Sequence, residues 1–64
     1  RAIDDYTVAL KNGKDESKEN VGMYYNNRGS CYSSLSKKAE ACLDYKRAAD
    51  LGNSSAINSY RNCK

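Results

Sequence analysis

Ala2, Tyr6 and Ala9 are spaced four and three residues apart, and the same Ala-x3-Tyr-x2-Ala order returns at Ala41, Tyr45 and Ala48, 39 residues further on. Steps of three and four place side chains on one face of an α-helix. A chain that repeats such a face is built from a unit that buries it only by stacking on its neighbours. Between the two copies, Val21, Tyr25, Gly29 and Tyr32 step by four, four and three, which predicts a third helix. Glycine in a helix interior costs about 1 kcal/mol relative to alanine, so Gly29 in this pattern points to packing that requires it. Gly29 and Ala41 would let two helices approach closely, and Tyr25, Tyr32, Tyr45 and Leu51 would fill the wider space above and below. The alternative is that Gly29 breaks its segment into two helices.

Taken in order, Arg1 to Gly13 reads as a three-turn amphipathic helix with Ala2, Tyr6, Ala9 and Leu10 on one face. Asp4 and Asp5 sit near its start, Lys11 near its end, and Asn12-Gly13 is the stop. Lys14 to Asn20 is a polar turn in which Asp15 or Ser17 caps the next helix, with Glu16 and Glu19 at its positive end. That helix, the longest, is expected from Ser17 to Leu35, with Gly22 fraying its first turns. Ser33 to Lys38 turns the chain back, and Ala39 to Leu51 returns antiparallel. Gly52-Asn53-Ser54-Ser55 ends this helix and caps a last one, Ala56 to Cys63. Ala56, Tyr60 and Cys63, with Ile57 beside them, give that helix one apolar side and one wet side, as in a terminal solvating helix.

From Tyr24 to Asn53 the pattern is a bulky residue, two spacers, a residue and glycine, two spacers, Tyr, then Ala-x3-aromatic, met at Tyr25, Gly29, Tyr32, Ala41 and Tyr45. This resembles a tetratricopeptide repeat. Arg28 stands in place of the usual Leu and Asn53 in place of the usual Pro. Lys38 replaces the aromatic or aliphatic residue at the base of the hairpin, which suggests a looser turn. An unmodified unit is about 34 residues long, so the 39-residue interval holds a surplus, which falls between Gly13 and Gly29.

The resemblance implies an all-α fold: a fragment of an antiparallel helix-hairpin solenoid with a right-handed superhelix and about four helices. Residues 1–13 would be the second helix of a truncated repeat, 14–53 one complete repeat with an extended first helix or loop, and 54–64 a C-terminal capping helix. The first helix of the first repeat is then missing, as if the chain were cut from a longer one. The face carrying Ile3, Tyr6 and Leu10 would lack a neighbour, and a face-to-face or domain-swapped homodimer is one way to cover it.

Composition narrows the function classes. Eleven Lys and Arg against eight Asp and Glu give a formal charge of +3, with the signs interspersed along the chain. A basic stripe of the nucleic-acid-binding kind is absent. No segment approaches the roughly 20 apolar residues of a membrane helix, and no apolar run near the N-terminus reads as a signal peptide. An excised fragment would lack one too, so the compartment stays unknown, with the cytoplasm favoured. Three cysteines are an odd number, which argues against a full disulfide framework. Cys31 and Cys42 read as small buried apolar residues, and Cys63 as an exposed thiol whose pKa Arg61 and Lys64 could lower, although a structural thiol is the better reading. Without His or a Cys-x2-Cys pair, neither a metal nor another cofactor is expected.

Nor does the sequence carry a Gly-x-Ser-x-Gly elbow or a glycine-rich phosphate loop, so no catalytic residues are assigned and no enzyme is expected. The acids read as dispersed over helix surfaces or the polar turn. Asp4 with Asp5 and Asp15 with Glu16 are adjacent on the chain, and adjacent helical residues point about 100° apart.

The expected function, largely from the resemblance, is protein–protein interaction. The first helix of each pair lines the concave face that in this family holds an extended peptide or a partner's helix. Here that lining would be Met23, Asn26, Asn27, Ser30, Ser33 and Ser34. An asparagine donates to and accepts from a peptide backbone at once, and methionine offers adaptable apolar contact. Family members that clamp acidic chaperone C-termini carry an Asn where Asn27 stands and an Arg where Arg61 stands. Ile57 occupies the place of their Lys, and their remaining two residues would precede Arg1. A structural or oligomerising fragment of a larger scaffold is the competing reading.

Overall fold

The computed structural model describes residues 2–12 and 16–63. Every regular element in them is helical: α1 (Ala2–Lys11), α2 (Lys18–Ser34), α3 (Lys38–Asp50) and α4 (Ser54–Arg61), with no strand among the described residues. The expected all-α helical hairpin is therefore present, and its boundaries fall within two residues of those read from the sequence.

Local chemistry explains the boundaries. In α1, Asp4 and Asp5 occupy the first turn and Lys11 the last, the arrangement that suits the helix dipole. Ser17 caps α2, its side-chain oxygen accepting from the Asn20 amide at 3.2 Å, while Glu16 accepts from the Asn20 side chain at 2.8 Å. Asp15, the other expected cap, lies outside the described residues, as do Lys14 of the polar turn and Gly13 of the expected helix stop. Asn53 caps α4, its Oδ1 accepting from the Ala56 amide at 2.8 Å, so α4 begins at Ser54, two residues earlier than expected.

The two turns flanking α3 share one design. After α2, the Ser36 amide donates to Ser33 at 3.0 Å and the Lys37 amide to Tyr32 at 2.9 Å. After α3, Gly52 donates to Ala49 at 2.9 Å and Asn53 to Ala48 at 3.0 Å. Each turn reverses through a left-handed residue, Ser36 at φ 62° and Gly52 at φ 89°. Such pairs of bonds satisfy carbonyls that a helix end leaves without partners. The α2–α3 turn is thus closed by backbone bonds, and the looser turn expected from Lys38 is not what forms.

Gly29 lies inside one continuous α2, so it does not break the helix. A methyl group built there would come within 2.9 Å of the Tyr45 ring and 3.1 Å of the Ala41 carbonyl oxygen. The close approach read from Gly29 and Ala41 is therefore real. Gly22, expected to fray the helix, is also buried and facing α3: a methyl group there would lie 3.5 Å from the Cβ atoms of Leu51 and Asn53. These contacts run in opposite order along α2 and α3, which makes the pair antiparallel. Tyr6 beside Tyr24, with ring centroids 6.4 Å apart, and Thr7 bonded to Arg28 set α1 on the other flank of α2. α4 packs on α3.

What this buries is small in volume. The fully buried apolar side chains are Ala41, Ala48 and Ala56, and α1 buries none completely. Tyr25, Tyr32 and Tyr45 are half-buried. The described chain measures 33 × 25 × 13 Å, a plate with no room for a thick core. One polar side chain is buried with the alanines: Asp44, 1% exposed.

Candidate functional site

Asp44 corrects the expectation that the acids are spread over helix surfaces. It projects from α3 toward α2, where the Arg28 guanidinium grips it with two bonds, Nε to Oδ2 at 2.7 Å and an Nη to Oδ1 at 2.8 Å. Arg47 adds a third bond to Oδ1 at 3.1 Å. Arg28 also donates to the Thr7 hydroxyl at 3.2 Å, so one side chain ties α1, α2 and α3 together. Its guanidinium lies 5.6 Å from the Tyr25 ring centre and 5.8 Å from that of Tyr32, and Arg47 stands 5.8 Å from the Tyr25 ring. The Asp44 hydrogen bonds raise the Arg28 pKa above its already high ordinary value; burial pulls it down, and the Asp44 charge supports the rise. Arg28 therefore stays charged at every pH in which the fold is of interest. This network is structural: Asp44 is buried, and both of its carboxylate oxygens are taken up by Arg28, with Arg47 sharing one of them.

The surface facing outward between α2 and α4 is different. A cleft of about 430 Å³ opens there, floored by Ala41, Cys42 and Tyr45 of α3. Ser33 forms its wall on the α2 side, and Ser59, Asn62 and Cys63 its wall on the α4 side, with Lys38 at the start of α3. The Tyr45 hydroxyl donates to Ser30 Oγ at 3.3 Å. Along α2, Asn26, Ser30 and Ser33 step by four and three, a single polar stripe that leads into the cleft. Asn26 is half-buried, and its Oδ1 is fully buried with no hydrogen-bond partner among the described residues.

The other sequence candidates distribute as follows. Met23 is 44% exposed, Asn27 is half-buried, and Arg61 is exposed at the last turn of α4. Ser34 lines a second, more apolar cleft of about 660 Å³, where Ala2, Ile3 and Asp4 of α1 meet Cys31, Tyr32 and Leu35. Ser33 and Ser34, about 100° apart on the helix, thus line different clefts. Lys38, Tyr45, Ser59 and Asn62 were not read as lining residues. Ser59 and Asn62 carry the signal that could have found them, three apart on a helix antiparallel to α3.

Cysteine usage also differs from expectation. Cys42 and Cys63 form a disulfide across a Cα–Cα distance of 6.0 Å, so Cys63 is not an exposed reactive thiol and Cys42 is not a free buried one. Cys31 is the free cysteine, half-buried. An odd count excludes complete pairing but leaves one pair open, and hairpin packing brings the end of α4 back to the start of α3. Among the described residues no group of three or more His, Cys, Asp or Glu side chains could hold a metal ion. Among the described residues no helix is long and apolar enough to cross a membrane.

Over all 64 residues the chain is 33% identical to Protein unc-45 homolog B of Danio rerio, and it spans 7% of that protein's length. No family model matches the chain. No solved structure matches it. The likeness and the four-helix arrangement fit, loosely, a helical repeat protein.

Proposed function

We propose that this chain is a tetratricopeptide-type segment whose non-catalytic task is to hold an extended peptide or a partner's helix between α2 and α4. The observation that carries this reading is the polar stripe of Asn26, Ser30 and Ser33 running into the cleft walled by Ser59 and Asn62. Side-chain amides and hydroxyls offer donors and acceptors to a peptide backbone without demanding one sequence. Met23, 44% exposed and three residues before Asn26 on the same side of α2, supplies apolar contact beside the polar groups.

The test is an array of mixed-sequence ten-residue peptides, with hits followed by amide chemical shifts. Peptides that engage the groove shift resonances of α2 and α4 and bind at least about tenfold more weakly to the variant of a lining residue, Asn62→Ala, whose circular dichroism stays unchanged. Shifts confined to α1, or indifference to Asn62→Ala, overturn the proposal. A partial carboxylate clamp built on Asn27 and Arg61 would show as a preference for peptides with acidic C-termini.

A second reading, an oligomerising or structural segment, is favoured by the apolar cleft between α1 and α2 and by Val8, 57% exposed. It expects a mass that falls on hundredfold dilution, whereas the groove reading requires only a monomer.

A further inference from the structure

α4 is the least anchored wall of the cleft. It has eight residues, too few to persist as a helix on its own. It buries one side chain completely, Ala56, while Ile57 and Tyr60 stay 41% exposed. Its first turn is held by the Asn53 cap and by the bonded turn through Gly52. Its last turn has another kind of anchor. Asn62 ends the helix, the Cys63 amide donates back to Tyr60 at 2.9 Å, and the Cys63 sulfur is bonded to Cys42 of α3. The disulfide is itself part of the lining of the cleft, beside Ser59 and Asn62.

We propose that Cys42–Cys63 is a redox latch on the cleft, a reading that rests on the proposal that a partner is held there. Closed, the latch pins the end of α4 to α3 and keeps Ser59 and Asn62 facing Ser33. Open, the last turn of α4 comes away and the cleft loses that wall. The reductant is a dithiol. Its thiolate attacks one sulfur of the pair through the open cleft, forming a mixed disulfide and releasing the other cysteine as a thiolate, which takes up a proton. The second thiol of the reductant, deprotonated, then displaces the remaining cysteine, which is protonated in turn. Two electrons pass to the protein pair, the S–S bond becomes two thiols, and the dithiol leaves as a disulfide. Cys31, facing the other flank of α2, takes no part.

The experiment uses the Cys31→Ser protein, so that only this pair reacts, and follows amide hydrogen exchange with the pair closed and after dithiothreitol. The expected result is exchange about tenfold faster or more at Ser59 to Cys63 on reduction, with changes under about twofold at Gly29 and Ala48. Cys63→Ser should reproduce the reduced pattern without any reductant. Equal exchange at Ser59 to Cys63 in the two forms overturns the latch. In parallel, the ten-residue peptide array is measured against both forms. Weaker binding after reduction supports the latch on the cleft, and unchanged binding despite a loosened α4 overturns it. Faster exchange in α4 with no peptide bound by either form keeps the latch as a device of α4 and instead removes the peptide-binding reading.

Discussion

At the α2–α3 junction a methyl group on Gly29 would collide with the Tyr45 ring and the Ala41 carbonyl, and a buried arginine–aspartate fork crosses the same seam. At the α3–α4 junction the contact is Ala56, an asparagine cap and a disulfide. The first seam is held by shape and charge spread over two long helices. The second is held at its two ends, by one hydrogen-bonded cap and one covalent bond. A seam of the first kind fails when a single atom is added or a partner charge removed. A seam of the second kind tolerates side-chain change along its length and fails at its ends.

The largest expected effect is at the first seam. Asp44→Ala leaves the Arg28 guanidinium, 14% exposed, without its carboxylate and should cost about 3 kcal/mol in urea unfolding. The Arg28→Leu/Asp44→Ala double variant should recover a good part of that loss, because removing both charges removes the unpaired one. A double variant as unstable as Asp44→Ala would show that the fork stabilises by geometry alone.

Next is Gly29→Ala, expected to lower stability by about 2 kcal/mol through overpacking despite better helix propensity. Gly22→Ala is its control. There the added methyl group meets its neighbours at 3.5 Å, an ordinary contact, so propensity should prevail and stability rise by about 0.5 kcal/mol. Thermal midpoints moving in the same direction for both variants would contradict the two-site picture of the seam.

At the second seam, Asn53→Ala removes the cap of α4 and should cost about 1 kcal/mol by denaturant titration. The loss should concentrate in amide exchange of α4 and leave α2 protected. The smallest effect is at the turn between the seams. Ser36→Gly relieves a left-handed serine and should raise stability by several tenths of a kcal/mol, since Gly52 already serves the matching turn without that strain.

Much of the fold was legible because its signals are local. The three- and four-residue steps gave the helices, Gly29 with Ala41 gave the close approach, and Ser17 and Asn53 sat where caps belong. Gly22 was read only as weakening its own helix, because propensity sees only the helix that carries a glycine; that it also faces Leu51 and Asn53 is visible only in the packed pair. Arg28 and Asp44 are 16 residues apart, and only the antiparallel register, with Gly29 facing Ala41 and Tyr45, makes them neighbours. The disulfide was missed for a similar reason: cysteine count alone cannot choose among three pairings. Of the proposed groove, the α2 residues came from the family resemblance, whereas Lys38, Ser59 and Asn62 line the cleft through the return of α4 along α3.

Gly22 and Gly29 are seven residues apart, and so are the two alanines whose carbonyl oxygens face them, Ala48 and Ala41. Seven residues are about 10.5 Å of helix, close to two turns. The two helices therefore touch at two pins a fixed distance apart. Sliding one helix along the other by a turn, about 5.4 Å, would carry a side chain such as Tyr25 onto a pin and force the pair open. The hairpin has one setting and behaves as a ruler. The spacing of polar groups that α2 presents along its outer stripe is graduated by contacts made on its inner face.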